Sequence, residues 1–222
     1  AMAELLGAPV VTSILGKSAI AETHDLAAGP MGYTGLKLAN DVVGMADTIL
    51  VVGCRLKPQE TCFEHPAMFD PNRQSIVQID IDPRNASWTI PAEVALAGDA
   101  ALTLDLLHER LAGHIDAVAA AARTKAFGEL RTARAFFAHP MMASENVPIA
   151  PQRLVAELRA SIPADAVICT DAGSNRHWMN HYFRTRRVNS YFGSGGLGGV
   201  SWSLPAALCA KIVDPERPAV GV

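Results

Sequence analysis

Charge is scarce in this chain. Only 18% of its 222 residues are charged, 19 basic against 22 acidic, for a net charge of −3. No basic block interleaves with aromatic side chains, so the electrostatic footprint of a nucleic-acid-binding protein is missing. Cysteine is sparse too. Cys54, Cys62, Cys169 and Cys209 stand far apart and form no metal or redox spacing. Cys169 and Cys209 sit in apolar runs, where thiols are commonly buried, and nothing requires an oxidising compartment. No apolar run approaches the roughly 20 residues of a membrane helix, and no signal peptide opens the sequence. These absences leave a soluble, cytoplasmic protein as the expectation, with neither membrane nor nucleic acid as partner.

Apolar material and glycine are what the chain has. Half of the residues are hydrophobic, enough to bury a core in one large or two small domains and too much for disorder. The densest glycine run, Ser194-Gly195-Gly196-Leu197-Gly198-Gly199-Val200, joins a strand-like segment, Val188 to Phe192, to a helix-like one, Ser203 to Val213. Glycine has no Cβ and tolerates positive φ, so backbone can approach a ligand there. About twenty residues upstream, Val167 to Thr170 runs as an apolar strand into Asp171-Ala172-Gly173-Ser174-Asn175 and a helix. A polar turn opening a helix is a ready anion site.

Strand and helix signals alternate along the whole chain. Strands are expected at 9–13, 48–52, 75–81 and 93–97, with a long Gly/Pro loop at 29–35 and helices at 36–46 and 101–111. The continuous apolar run Thr48 to Val52 suits a strand covered on both faces. The pattern predicts an α/β protein built on doubly wound parallel sheets. It divides into a Rossmann-like central domain at 1–112 that lacks its first strand, a connecting helix and linker at 113–150, and a second α/β unit at 151–222. That unit has a helix at 152–161 and strands at 166–170, 188–192 and 218–222. The sequence opens in mid-helix and stops in a strand, and ligand loops follow strand C-termini in open sheets. A fragment of a longer polypeptide is therefore expected.

Each candidate feature has an architectural alternative. Taken alone, Ser174 and Asn175 read first as an ordinary helix cap. His177 and His181 are spaced i, i+4, as metal pairs are; no third ligand keeps fixed spacing to them, so packed or solvated histidines are expected. Gly196 to Ser201 misses the last glycine of the dinucleotide fingerprint, and its partner acid would fall past Val222. Gly53-Cys54-Arg55, after a buried strand, suits either a nucleotide phosphate contact or a plain loop. His24 has no acid–base partner in sequence and is read as structural.

Gly7 to Thr12, Leu15-Gly16-Lys17, Gly29 to Gly35, Val52 to Leu56, Ile79 to Pro83 and Gly98-Asp99-Ala100 together resemble the central domain of thiamine-diphosphate enzymes of the acetolactate synthase group. Ile162-Pro163 through Thr170-Asp171-Ala172-Gly173, and Ser194 to Gly198 through Leu204-Pro205-Ala206-Ala207, resemble the first half of their diphosphate-binding domain. The specificity lies in the order and spacing of these motifs.

The resemblance implies residue roles. The turn Gly173-Ser174-Asn175 would hold the diphosphate at a helix start, in agreement with the anion-site argument. Around Gly198-Gly199-Val200, the Gly198 carbonyl would accept from the pyrimidine amino group and the Val200 N–H would bond the ring. The Val200 side chain would wedge the cofactor into a bent V, for ylide chemistry on a 2-keto acid. Acetolactate synthases carry methionine at this wedge and a Gln-His pair where Ser174 and Asn175 stand. The family's magnesium motif would begin just after Val222, and its activating glutamate belongs to another domain, so Mg²⁺ ligands and catalytic residues are expected outside these 222 residues. The family's active sites form between subunits, which implies a homodimer or homotetramer.

The central domain of acetolactate synthases also binds FAD, which would place Gly32, Gly53, Cys54, Arg55, Asp80 and Asp99 near a flavin nucleotide. The corresponding loop here reads Gly53-Cys54-Arg55-Leu56-Lys57-Pro58-Gln59 and keeps the first arginine but not the second. Flavin-free sulfoacetaldehyde acetyltransferases carry a similar glycine loop, so FAD stays open. The reading is a portion of a thiamine-diphosphate-dependent 2-keto-acid decarboxylase or carboligase. The alternatives are an acetyltransferase of the sulfoacetaldehyde type, a nicotinamide-dinucleotide dehydrogenase portion, or a non-catalytic nucleotide-binding module.

Overall fold

The computed structural model describes all 222 residues. In chain order the elements are α1 (Met2–Leu6), β1 (Val10–Thr12), β2 (Ala27–Pro30), α2 (Lys37–Met45), β3 (Thr48–Val52), β4 (Ser75–Asp80), β5 (Val94–Ala97), α3 (Ala100–Leu111) and α4 (Ala117–Ala133). There follow α5 (Pro151–Ser161), β6 (Val167–Thr170), α6 (Ser174–Tyr182), β7 (Tyr191–Gly193), α7 (Ser203–Val213) and β8 (Ala219–Gly221). Every strand pairing is parallel, and the strands form three sheets, β1-β2, β3-β4-β5 and β7-β6-β8.

The α/β class and the parallel sheets agree with the expectation, with two local differences. The start of the Gly/Pro loop is a strand: Ala27–Pro30 is wholly buried and pairs with β1. Gly29 and Pro30 read as loop because each weakens a strand alone, yet burial and pairing override them. Proline's missing donor is not needed at the strand end, since Met31 N–H supplies the next bond, to Thr12 O. β7 begins at Tyr191 rather than Val188. Asn189 adopts φ 50° and its N–H goes to Ser18 O, so hydrogen bonding to β6 starts only at Ser190 O, which accepts from Ile168 N–H.

β6 shows how the second unit is layered. All four of its residues are buried, and successive side chains of a strand point to opposite faces. Ile168 packs with Val155 of α5 and with Met179 and Phe183 of α6 and its C-terminus. The next residue, Cys169, faces the other way; burial and the nearby Cys209 of α7 raise its thiol pKa. Helices therefore cover both faces. In the first unit α4 carries Phe127 into a cluster with Leu26, Ala28 and Leu38, and Arg123 and Arg131 donate to the carbonyls of Leu6 and of Glu22 and Asp25.

A buried ion pair joins the two units. Lys17 Nζ lies 2.5 Å from Glu22 Oε1, with side-chain exposures of 0% and 2%. Glu22 Oε2 accepts from Thr185 N–H at 2.7 Å and Thr185 Oγ1 at 3.0 Å. Lys17 also donates to Asn180 O and lies over the Phe137 ring. Next to it, Ser18 Oγ accepts from the N–H groups of Ser190 and Tyr191, the entry to β7. A buried charge pair is tolerable only when its remaining polar capacity is met in this way.

Candidate functional site between two turns

β6 delivers the chain to Asp171, and a glycine then turns it into α6. Gly173 has φ 119° and ψ −169°, a region that residues with a Cβ rarely enter, and it caps α6. No side chain satisfies the helix start. The first N–H groups of an α-helix have no partner inside it, so α6 presents backbone donors and the positive end of its dipole. Ser174 and Asn175 are the first helical residues rather than the cap. Ser174 is exposed, whereas Asn175 Nδ2 donates to Val222 O at 3.0 Å and ties down the end of β8. The Asn175 side chain serves the scaffold; only its backbone faces the site's chemistry.

The glycine-rich turn lies against this helix start. Gly196 and Gly198 both have φ 61°, and a Cβ on Gly198 would come within 3.7 Å of the Ala172 Cβ. Two turns separated by some twenty residues in sequence are thus in contact. Leu197 is fully exposed and Val200 is 82% exposed, three residues before α7 begins. Val200 therefore has no packing role against the sheet.

Asp171 holds the turn in place. Its two oxygens accept from Ser201 N–H at 2.9 Å and Ser203 N–H at 2.8 Å, fastening the start of α7 to the end of β6. The Ser203 and Ser201 amides hold its carboxyl below the ordinary value. Sequence reasoning passed over this role. An acid at a strand end thirty residues before a helix gives no short-range capping signal, and only the parallel crossover brings them together. Arg176, in the first turn of α6, also bridges the turns by donating from Nη1 to Ser194 O at 3.0 Å.

The residues considered for a flavin nucleotide gather along the C-terminal edge of β3-β4-β5. Gly53 (φ 58°) and Arg55 follow β3 and are exposed; the Arg55 guanidinium lies 5.2 Å from the Trp88 ring centre. Gly53 N–H donates to Ile79 O and Gly98 N–H to Asp80 O, which places the three strand ends side by side. The Asp80 carboxylate accepts from Asp82 N–H and Asn85, and Asp99 caps α3 through Ala101 and Leu102. The Cys54 thiol faces Glu60, and burial first, then that carboxylate, pushes its pKa up to about 12. Gly32 (φ 108°) sits apart, at the end of β2 beside Gln59 and Glu60. His181 Nε2 lies 2.9 Å from Thr34 O, while His177 is exposed. No group of three or more His, Cys, Asp or Glu side chains is placed to hold a metal. No helix is long and apolar enough to cross a membrane.

Parallel α/β units with an uncapped helix start against a glycine turn define a cofactor-binding α/β protein. Comparison with known proteins gives the family. Residues 1–107 match the model of the thiamine pyrophosphate enzyme central domain, and residues 171–222 match that of the thiamine pyrophosphate enzyme C-terminal TPP binding domain. A probable acetolactate synthase large subunit of Methanococcus aeolicus is 33% identical over 99% of this chain and 38% of its own length. The probable large subunit of Methanocaldococcus jannaschii is 33% identical over 100% of this chain and 37% of its own. Sulfoacetaldehyde acetyltransferase of Castellaniella defragrans is 30% identical over 99% and 40%. The chain belongs to the thiamine pyrophosphate enzyme family. It spans about two fifths of the length of the curated relatives it matches. The dehydrogenase alternative gives way, since both matched models describe thiamine pyrophosphate enzymes.

Proposed function

We propose that this chain supplies the diphosphate cradle and the pyrimidine-facing turn of a thiamine-diphosphate-dependent decarboxylase or carboligase acting on a 2-keto acid. The observation that carries the reading is the contact between the α6 start and the Gly198 turn. Donors without side-chain partners suit a diphosphate, and glycine backbone with positive φ suits a flat ring brought close to the main chain. When bound, the cofactor supplies the carbon centre that cleaves and forms bonds next to a carbonyl. The backbone amides at 173–175 would hold its diphosphate, the Gly198 carbonyl and Val200 N–H would hold its pyrimidine, and the exposed Val200 side chain would set its bend. Mg²⁺ and an assembly of two or more copies belong to the same proposal, as does the residue division into a central domain at 1–112, a connector at 113–150 and a diphosphate-binding portion at 151–222.

Val200→Ala in the full-length polypeptide tests the reading. Loss of the wedge misplaces the reacting groups, and about 1 Å of misplacement costs on the order of 100-fold. Hydrogen–deuterium exchange at C2 of the bound cofactor should slow by that order, with cofactor affinity little changed. Unchanged exchange in a folded variant would remove Val200 from the mechanism. The second reading, an acyltransfer enzyme of the sulfoacetaldehyde type, is favoured by the 30% identical relatives. Turnover of pyruvate against sulfoacetaldehyde separates the two. For the first unit, Arg55 is the residue on which a flavin nucleotide would depend.

A further inference from the structure

Arg176 occupies a place where a cation is electrostatically unwelcome. It lies in the first turn of α6, at the positive end of the helix dipole. No carboxylate pairs with it; the ion pairs of the molecule all lie elsewhere. Its one hydrogen bond runs from Nη1 to Ser194 O, so the other four N–H donors of the guanidinium are uncommitted. Tying two turns together needs one neutral donor and no charge. A second observation points the same way. The hydroxyl of Ser194, on the residue whose carbonyl holds Arg176, is buried at 1% exposure and has no hydrogen-bond partner. Buried polar groups are normally satisfied, and this orphaned hydroxyl belongs to the residue whose carbonyl receives the guanidinium.

We infer that Arg176 is a binding residue for the diphosphate, adding a charged, geometrically rigid donor to the backbone amides of the α6 start. This rests on the thiamine-diphosphate reading of the site. Ser194 O fixes one edge of the guanidinium and so pre-organises the remainder. The phosphate oxygens then neutralise both the side-chain charge and the helix end, which are mutually repulsive in the free protein. Arg-phosphate contacts are among the stronger hydrogen bonds because both partners are ionised.

The test is calorimetric titration of the full-length polypeptide, with Mg²⁺ present, using thiamine diphosphate, inorganic pyrophosphate and unphosphorylated thiamine in separate experiments. Arg176→Gln should weaken thiamine diphosphate and pyrophosphate on the order of 10-fold to 100-fold, the loss of one charge-assisted contact. Thiamine should bind as before, Arg176→Lys should recover part of the loss, and the salt dependence of pyrophosphate binding should flatten in the glutamine variant. Unchanged diphosphate affinity in Arg176→Gln would overturn the inference. Equal losses for thiamine and thiamine diphosphate would also overturn it, because they would reduce Arg176 to a tie between turns. A rise in keto-acid KM at constant cofactor affinity would overturn it in favour of a substrate contact. Should Arg176→Gln not fold, Arg176→Lys carries the same comparison. Failure of the unsubstituted protein to bind thiamine diphosphate would instead strike the parent reading, which the pyrophosphate arm distinguishes.

Discussion

At the C-terminal edge of β3-β4-β5, polar groups satisfy one another. Asp80 is held by Asp82 and Asn85, Asp99 is spent on α3, Glu60 receives Lys57 N–H and the Cys54 thiol, and Gln78 donates to Cys54 O. At the corresponding edge of β7-β6-β8, α6 begins without a side-chain cap, the turn 195–200 is largely exposed, and Ser194 Oγ has no partner. Two three-stranded parallel sheets of different strand order thus end in different states. An edge whose donors and acceptors are spent is a scaffold, and an edge that leaves them free gains most from a ligand. The difference favours the second unit as the binding site and leaves Arg55 as the main uncommitted group of the first.

The largest effect is expected where the two regions are joined. Lys17→Met leaves Glu22 buried without its cation and should destabilise the full-length protein by about 3–5 kcal/mol in urea unfolding. Adding Glu22→Leu should recover only part, because Thr185 N–H and Oγ1 then lose their acceptor. A loss below about 1 kcal/mol for Lys17→Met would mean that the pair does not couple the two units.

Legibility in the sequence follows the range of the interactions. Continuous apolar runs such as Thr48–Val52 and Val167–Thr170 announced strands, although only the second is buried throughout and the first buries Val51 alone, and glycine runs announced tight turns, because both signals are local. Ala27–Pro30 was hidden, since its strand identity comes from pairing with β1 and not from its own propensities. The Lys17–Glu22 pair was invisible because its third partner, Thr185, is more than 160 residues away. The contact between Gly198 and Ala172 and the anchoring by Asp171 depend on parallel crossovers in the same way. Motif order pointed to both turns; only the fold shows that they touch.

Next in size is the first unit. If the full-length protein purifies with a flavin spectrum, Arg55→Ala should weaken flavin retention about 10-fold by removing one phosphate contact. A colourless protein, active without added flavin, would leave Arg55 as a surface residue stacked on Trp88 and would sharpen the contrast between the edges.

A smaller, pH-dependent effect concerns Asp171. Its folded pKa lies below the ordinary 3.8, so its anchoring of Ser201 and Ser203 is fully present above that value. It is lost as the pH falls through the depressed folded value. The stability difference between the unsubstituted protein and Asp171→Asn should be constant at neutral pH and shrink only below about pH 4. A difference that persists at strongly acid pH would mean that the carboxylate charge is not what holds the turn.

The smallest effect should come from a residue that sequence alone placed in the site. The Ser174 side chain is exposed and makes no hydrogen bond, and the donors facing the site are backbone amides. Ser174→Ala keeps every one of them, so diphosphate affinity should change by less than about threefold, within the spread of surface substitutions. Ser174→Pro is the informative partner. Proline is tolerated in the first helical turn, where its missing N–H breaks no intrahelical bond. The preceding Gly173 has no Cβ to clash with the proline ring, and its ψ of −169° keeps it out of the α region that a following proline disfavours. The helix survives and one donor to the anion is deleted, which should cost about 10-fold or more in pyrophosphate affinity. Equal losses for alanine and proline would make the hydroxyl the donor, and the backbone cradle inferred from the open edge would be wrong.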